Sequence, residues 1–202
     1  MDAKKKIQEA EYFLNQLRNI PQDSDEFMYN LSAFLNAWRS VLDVMLYDYA
    51  EKFVLGLTRD ERITERDFEV AAKALQHTQA LQFIKWWRQQ RNRLMRNPLW
   101  KKRIIFVHRG YPPMTRVYTL YLAETIALSS TFTIAGASAK ATATTSSTPN
   151  AIPPSTSVPS DSRREIEVRF RDIPDRNIID ICDETFKEIR EIFEEASQRF
   201  GM

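Results

Sequence analysis

One long amphipathic stretch decides the architecture of this chain: residues 24–56, SDEFMYNLSAFLNAWRSVLDVMLYDYAEKFVLG. Its apolar residues recur at intervals of three and four, the spacing of one face of an α-helix. They are Phe27, Leu31, Phe34, Leu35, Trp38, Leu42, Met45, Leu46, Tyr49 and Phe53. The stripe extends over about seven to eight turns. Asp23 or Ser24 can cap the helix behind Pro21, and Gly56 is expected to end it. The stretch therefore predicts one long helix of an antiparallel helical bundle.

Helices are also predicted before and after this stretch. The first is marked by an apolar repeat that ends before Pro21, with the members Ile7, Ala10, Leu14 and Leu17. Thr64 and Asp67 have the spacing of a capping box and open a helical segment that is expected to break and resume around His77. Asn97-Pro98 ends this segment and starts a short helix that runs to about Arg109.

The helix predicted from Leu81 to Met95 carries both tryptophans and basic residues. On a helical wheel one arc is apolar and contains Phe83, Ile84, Trp87, Leu94 and Met95. Trp86 lies at the flank of this arc, and Arg91 falls inside it. Tryptophans at helical spacing are expected in the core or at a dimer interface. Base stacking by Trp86, Trp87 or Trp100 is the alternative.

The composition changes after residue 112. Residues 115–133 are rich in β-branched and aromatic residues, which predicts one or two strands. Residues 129–162 are mostly Ala, Ser, Thr and Pro and are expected to form a loop or a strand-like excursion. Residues 164–171, REIEVRFR, alternate charged and apolar side chains, as a strand with one exposed face does.

A terminal helix is predicted after Pro174, with Gly201 as its C-cap. Its apolar positions are Ile178, Cys182, Phe186, Ile189, Phe193, Ala196 and Phe200. The predicted fold class is therefore mainly α: an antiparallel helical bundle with a small β-hairpin or strand elaboration inserted before the C-terminal helix. The bundle core is assigned to residues 1–112, the β-like and low-complexity insertion to 113–173, and the helix that completes the bundle to 174–202.

The bulk composition excludes several classes of protein. The 202 residues contain one cysteine, Cys182, which cannot form an internal disulfide. No stretch resembles a secretory leader or reaches the roughly 18 apolar residues of a membrane span, so a cytoplasmic protein without a membrane partner is expected. With only two histidines and one cysteine, a zinc site is not expected. We predict neither a metal nor a cofactor.

Charge is distributed unevenly along the chain. Residues 70–123 contain no Asp or Glu but eleven basic residues: Lys73, Lys85, Arg88, Arg91, Arg93, Arg96, Lys101, Lys102, Arg103, Arg109 and Arg116. The whole chain has 29 basic and 27 acidic residues, so the remainder holds 18 basic against 27 acidic, a net charge of −9. Such a basic block indicates an anionic partner, above all a phosphate backbone.

Inside the block lies Arg103-Ile-Ile-Phe-Val-His108, which contains one of the two histidines. Chance alone supplies an Arg and a His five apart roughly one time in five in a chain of this composition, so the spacing by itself is not a motif. On an ideal helix the two side chains also point about 140° apart. The spacing alone therefore favours Arg103 as a surface charge and His108 as a helix-end residue that interacts with backbone carbonyls.

The context of the pair changes its interpretation. It follows an arginine-rich helix and an Asn-Pro helix start, among long amphipathic helices and without a nearby acid. Here the sequence resembles the HEPN superfamily of small helical bundles, whose hallmark is an arginine followed four to six residues later by a histidine. Residues 103–109, RIIFVHR, look like the common form Arg-Asn-x-x-x-His-Arg. The resemblance covers about residues 5–110 and the terminal helix, and Ile104 departs from it because active members usually have a polar residue there.

The resemblance implies a homodimer in which two Arg/His pairs meet in one basic cleft, which would resolve the 140° separation. In active members this cleft cleaves RNA without metal. His108 would act as general acid or base and Arg103 would stabilise the phosphate charge. The residues expected to bind the nucleic acid are Lys85, Arg88, Arg93, Arg96, Lys101, Lys102 and Arg109.

Three functions stay open from the sequence. The first is a metal-independent endoribonuclease of the toxin or defence type. The second is a non-catalytic HEPN-like module that dimerises and binds RNA or a nucleotidyltransferase-type partner such as an antitoxin; Ile104 separates it from the first. The third is a helical interaction protein whose basic stretch is an ordinary solvated surface. The distribution of charge on the folded surface would distinguish this third function from the first two.

Overall fold

The computed structural model describes residues 2–58, 60, 62–109, 112–121, 133–134, 137–138 and 163–201. Within these ranges the helices are α1 (Ala3–Asn19), α2 (Asp25–Lys52), α3 (Glu65–Ala74), α4 (Thr78–Leu94), α5 (Pro98–Arg109) and α6 (Ile178–Phe200). The strands are β1 (Met114–Tyr121), β2 (Thr133–Ile134), β3 (Ala137–Ser138) and β4 (Arg163–Phe170). The fold is mainly helical with a small two-stranded antiparallel sheet, which confirms the predicted class at this level.

The chain forms two compact units. The first contains residues 1–20, 25–112 and 179–202, and so unites α1 to α5 with α6. The second contains residues 21–24 and 113–178. Among the described residues, no helix combines the length and apolarity that crossing a bilayer requires.

Helix α2 forms where the long apolar stripe predicts it, and all ten residues of the stripe are buried. Asp25 and Glu26 lie in its first turn, where their charges complement the helix dipole. The helix ends at Lys52, four residues before the predicted stop at Gly56. It closes with a Schellman motif, because the Leu55 N–H donates to the Ala50 carbonyl at 3.0 Å. Val54, with φ of 52°, takes the left-handed position that glycine usually fills.

The helices of the first unit alternate in direction around α2. Helix α1 runs antiparallel to α2, since the Ala3 N–H at its start donates to Asp48 near the end of α2 at 2.7 Å. Helix α4 also runs antiparallel to α2, because Tyr49 stacks on Phe83 at 4.1 Å and the Trp87 indole donates to the Leu42 carbonyl at 3.0 Å. These contacts order four long helices as an up-and-down bundle once α6 is added.

Helix α6 packs along α4 in the opposite direction. The Trp86 indole donates to Glu195 at 2.7 Å, and Asn97, further along the chain, donates to Thr185 at 3.0 Å. Phe200 closes the aromatic core with an edge-on contact to Phe83 at 5.4 Å. The terminal helix is thus present as predicted, and Gly201 follows it with φ of 72°.

Helix α3 and the turn after it connect α2 to α4. The predicted capping box is present: the Thr64 N–H donates to the Asp67 carboxylate at 2.9 Å, and the Asp67 N–H donates to the Thr64 hydroxyl at 3.3 Å. The predicted break occurs at His77, whose Nδ1 accepts the Ala80 N–H at 3.2 Å and caps α4. His77 therefore has a structural role.

Four side chains depart from the predicted buried and exposed faces of the helices. Met95 is 42% exposed although the wheel places it on the apolar arc, because α4 ends at Leu94. Trp86, predicted at the flank, is buried because α6 covers it and brings Phe200 to 5.6 Å. On α6, Ile192 is buried and the predicted Phe193 only half-buried.

The second unit contains the predicted strands. β1 and β4 pair antiparallel from Met114↔Phe170 to Tyr121↔Arg163. The Val168 N–H donates to the side chain of Gln22 at 2.7 Å, and Val168 and Phe170 are buried. β2 and β3 form a second, very short antiparallel pair. Apart from these two strands, the predicted low-complexity loop of 129–162 lies outside the described residues.

Candidate functional site

Helix α5, which carries the predicted Arg/His pair, is anchored at its start by Asn97. The Asn97 side-chain oxygen accepts the Leu99 N–H at 2.9 Å, while Pro98 occupies the first helical position. The Asn97 amide donates to Thr185 at 3.0 Å and to Glu188 at 3.2 Å on α6. One side chain therefore caps α5 and also attaches it to α6.

Helix α5 packs on α2 through aromatic and polar contacts. Trp100 meets the buried Trp38 edge-on, with ring centroids 5.9 Å apart. One turn further along α5, the half-buried Arg103 donates from Nε to the Asn36 side-chain oxygen at 3.2 Å. The guanidinium of Arg39 lies over the Trp100 ring, 4.9 Å from its centroid. Arg103 is thus held on a surface that α2 and α5 share.

The electrostatic environment of Arg103 is set by burial and by its neighbours on α2. Burial lowers the pKa of its guanidinium, and the like charge of Arg39 lowers that pKa further. The negative charge of Asp43 acts in the opposite direction. Within the described residues, neither Arg39 nor Arg103 forms an ion pair within 4.0 Å. Two guanidinium groups therefore share this surface without a carboxylate bound to either.

The other half of the predicted catalytic pair is only partly described. The backbone of His108 lies in α5, five residues after Arg103. The side chains of Ile104, His108 and Arg109 lie outside the described part of the molecule. The roles assigned to His108 and Arg109 from the sequence therefore stay predictions.

The predicted nucleic-acid-binding residues whose side chains are described separate into three groups. Lys85, Arg96 and Lys101 are exposed, and they form no ion pair with any residue that the structure describes. Arg88 and Arg93 are instead bound to carboxylates: Arg88 to Glu69, and Arg93 to Glu188 at 2.8 Å. Lys102 is buried, with 6% of its surface exposed, so it offers little surface to a macromolecule.

Acids from outside the basic block thus neutralise part of it. Glu65 binds Arg91 at 2.9 Å, and Glu69 binds Lys73 at 2.6 Å in addition to Arg88. Hydrogen bonds from Lys73 and Arg88 hold the pKa of Glu69 at about 2. In the part of the chain that the structure describes, at least four of the eleven basic residues of the block are paired with an acid in this way: Lys73, Arg88, Arg91 and Arg93.

An open groove of about 320 Å³ lies between the end of α4 and α6. It is lined by Arg93, Asn97, Glu184, Lys187, Glu188 and Glu191. Three carboxylates and two cations give it a mixed charge, which does not favour a polyanion. The groove is therefore a poor candidate for the predicted RNA contact.

Two residues of the candidate site were missed from the sequence. Asn36 and Arg39 lie on α2, more than sixty residues from Arg103, and no local motif marks them.

The tryptophans behave as the core interpretation predicts. Trp86 and Trp87 are 2% and 4% exposed, and neither is accessible to a base. Trp100 is half-buried beneath Arg39.

Comparison with known proteins gives no match: no family model fits the sequence, and no curated protein or solved structure matches it.

Proposed function

We propose that this chain is a HEPN-like, RNA-binding homodimer that cleaves RNA without metal through Arg103 and His108. The observation that carries the proposal is the state of Arg103. Unlike Arg88 and Arg93, it has no carboxylate partner among the described residues, and Asn36 fixes its Nε at 3.2 Å. An oriented guanidinium without a counter-charge is suited to a phosphate group.

The antiparallel helical bundle supports the family part of this proposal. Resemblance to HEPN proteins predicts long amphipathic helices with the Arg/His pair on a late helix, and α5 is the late helix that carries both residues. Helix α5 also begins at the Asn-Pro signal and packs against the long α2. The sheet of the second unit has no counterpart in the resemblance.

The chemistry needs two protonation states of histidine, which a dimer supplies. A neutral His108 takes the proton from a ribose 2′-hydroxyl, and the 2′-oxygen attacks the adjacent phosphorus. The protonated His108 of the other copy gives its proton to the leaving 5′-oxygen, so the products are a 2′,3′-cyclic phosphate and a 5′-hydroxyl. Arg103 stabilises the charge on the phosphoryl oxygens as the P–O bond breaks.

The contact between Asn36 and Arg103 is relevant to Ile104, the position at which this chain differs from the family pattern. Active members usually have a polar residue directly after the arginine, where this chain has isoleucine. Here a polar side chain reaches the arginine from α2 instead, because the Asn36 oxygen accepts from Arg103. We propose that Asn36 takes over part of the role of the missing polar residue.

The second candidate is a non-catalytic HEPN-like module that dimerises and binds RNA or a nucleotidyltransferase-type partner. Two observations favour it: Ile104 itself, and the pairing of Arg88 and Arg93 with glutamates, which reduces the charge available for RNA. Cleavage separates the two candidates, because both predict a dimer and binding.

RNA binding is tested by fluorescence anisotropy with a labelled single strand. We expect log K to fall with log salt by about 0.7 per phosphate contact. Replacing Lys85, Arg96 and Lys101 together by Ala should weaken binding and make this slope shallower. The matched control replaces three exposed lysines outside the block, Lys4, Lys5 and Lys187, with the same change in charge. If both triple variants changed RNA affinity and the salt slope equally, the basic block would make no specific contribution to RNA binding.

Cleavage is tested with the purified protein, excess EDTA and RNA of mixed sequence. We expect His108→Ala to lower the rate about 10²- to 10⁴-fold, because a methyl group cannot transfer a proton. Arg103→Ala should cost a similar factor, and Arg103→Lys should restore only part of it. Loss of activity with chelator, or full activity in both alanine variants, would place the chemistry elsewhere. The non-catalytic module would be identified by a wild-type protein that is a dimer in light scattering and binds RNA, but does not cleave it.

A further inference from the structure

We propose that Arg39 and Arg103 together bind one phosphate of the RNA backbone, with Trp100 positioning Arg39 and Asn36 positioning Arg103. The inference rests on the proposed function, because it takes RNA as the ligand. It adds a phosphate-binding residue from α2, which the Arg/His motif of α5 does not contain.

The first argument is the placement of four residues at the contact of two helices. Asn36 and Arg39 are three apart on α2, and Trp100 and Arg103 are three apart on α5, so each pair shares a helix face. Asn36 contacts Arg103 at 3.2 Å, and Arg39 lies over Trp100 at 4.9 Å. The two guanidinium groups therefore occupy opposite ends of one small surface where α2 and α5 meet.

The second argument is that each guanidinium is oriented and keeps donors available. Asn36 donates from its amide to the Ser32 carbonyl at 3.0 Å, which directs its oxygen toward Arg103. Asn36 occupies only the Nε–H of Arg103, so the four N–H groups of the terminal nitrogens can bind oxygen atoms. The Cζ of Arg39 lies over the Trp100 ring, 4.9 Å from its centroid, and Arg39 donates no hydrogen bond to another described residue, so its N–H groups can also bind oxygen atoms.

The third argument is electrostatic. Bringing two cations to one partly buried surface is unfavourable, and the charge of Arg39 lowers the pKa of Arg103 accordingly. Asp43 is the acid whose charge acts on Arg103, but it forms no ion pair with either arginine. A phosphate bound between the guanidinium groups would remove this repulsion, and its two non-bridging oxygens match two arginine forks.

The fourth argument concerns what part of the RNA is bound. Arg39 covers the Trp100 ring, so this ring is not open to a base. The available groups are N–H donors, which suit phosphate oxygens and do not distinguish base sequences. The site is therefore expected to contribute equally to the binding of different RNA sequences.

The test compares RNA binding by the wild-type dimer, Arg39→Gln and Asn36→Asp over a range of salt concentrations. Arg39→Gln should weaken binding about tenfold or more and make the salt slope shallower, by at most the roughly 0.7 of one phosphate contact because Arg103 still faces the same phosphate. Asn36→Asp is nearly isosteric and places a carboxylate against Arg103, so it should weaken binding to a similar degree. Arg190→Gln is the control, because Arg190 lies on α6, is bound to Glu194 and should leave both quantities unchanged.

Circular dichroism and the melting temperature check that each variant is folded, and the salt slope reports a lost contact that a packing defect would not produce. If Arg39→Gln and Asn36→Asp bind as the wild type does while the Lys85/Arg96/Lys101 variant is weakened, this inference is wrong and the proposed function stands. Thermal stabilisation by inorganic phosphate that depends on Arg39, without any RNA binding, would overturn RNA as the ligand. A wild type that responds to neither RNA nor phosphate would overturn the site together with the proposed function.

Discussion

Replacing Asn97 should destabilise the bundle at the point that positions α5. In Asn97→Ala the helix loses its N-cap, the bond to the Leu99 N–H, which typically costs about 1 kcal/mol. The variant also loses the bonds to Thr185 and Glu188, each worth about 0.5–1.5 kcal/mol. We therefore expect the free energy of unfolding to fall by about 2–4 kcal/mol. For a domain of this size the melting temperature should drop by roughly 4–16 °C.

Asn97→Ser separates the two contributions of the side chain. Serine is also a good N-cap but is too short to reach α6, so the variant should recover about 1 kcal/mol relative to Asn97→Ala. Urea unfolding followed by circular dichroism at 222 nm measures both variants. Asn92→Ala, at an exposed position of α4, is the control and should lie within about 0.5 kcal/mol of the wild type. A loss below 0.5 kcal/mol in Asn97→Ala would refute the role of Asn97 as cap and link.

Three further predictions concern stability. The Tyr49 hydroxyl is buried without a hydrogen-bond partner among the described atoms. Tyr49→Phe should therefore leave the free energy of unfolding unchanged or raise it by up to about 1 kcal/mol, and a loss of stability would show that the hydroxyl has a partner. Val54 is exposed with a positive φ, so Val54→Asn should raise the melting temperature by relieving about 1 kcal/mol of strain, and a fall would contradict the left-handed conformation. The hydrogen bonds from Lys73 and Arg88 hold the folded-state pKa of Glu69 at about 2, below its ordinary 4.5. These bonds therefore stabilise the folded protein above pH 4.5, and this contribution disappears as the pH falls toward 2. Glu69→Gln should therefore be less stable than the wild type in urea at pH 6 and equal to it near pH 2, and a constant difference would argue against the ionic cause.

The helices were predictable because their signals are local. The capping pair Thr64 and Asp67, and the Asn97-Pro98 start, each act within one helical turn, so a short sequence window contains the whole cause. The apolar stripe of α2 likewise needs no knowledge of its partners. The end of α2 was not predictable from Gly56, because valine at position 54 rarely adopts the conformation that ends the helix here.

The state of the basic residues was not predictable, because their partners are distant in sequence. Glu188 comes from α6 to bind Arg93, 95 positions earlier, and a count of charges along the chain does not register it. Arg91, which appeared misplaced on the apolar arc, is explained by Glu65 and by the Trp87 ring 5.8 Å away. Nor does a linear pattern show that Asn36 meets Arg103, since this contact depends on how α2 and α5 pack.

The late position of α6 has a consequence for synthesis. About 70 residues separate the end of α5 from the start of α6, and at about 5–20 residues per second a ribosome needs several seconds to make them. During this time the aromatic faces of Phe83 and Trp86 lack the helix that covers them. The nascent chain is therefore exposed to aggregation or chaperone capture until α6 emerges, and slower elongation through the intervening segment should prolong that exposure.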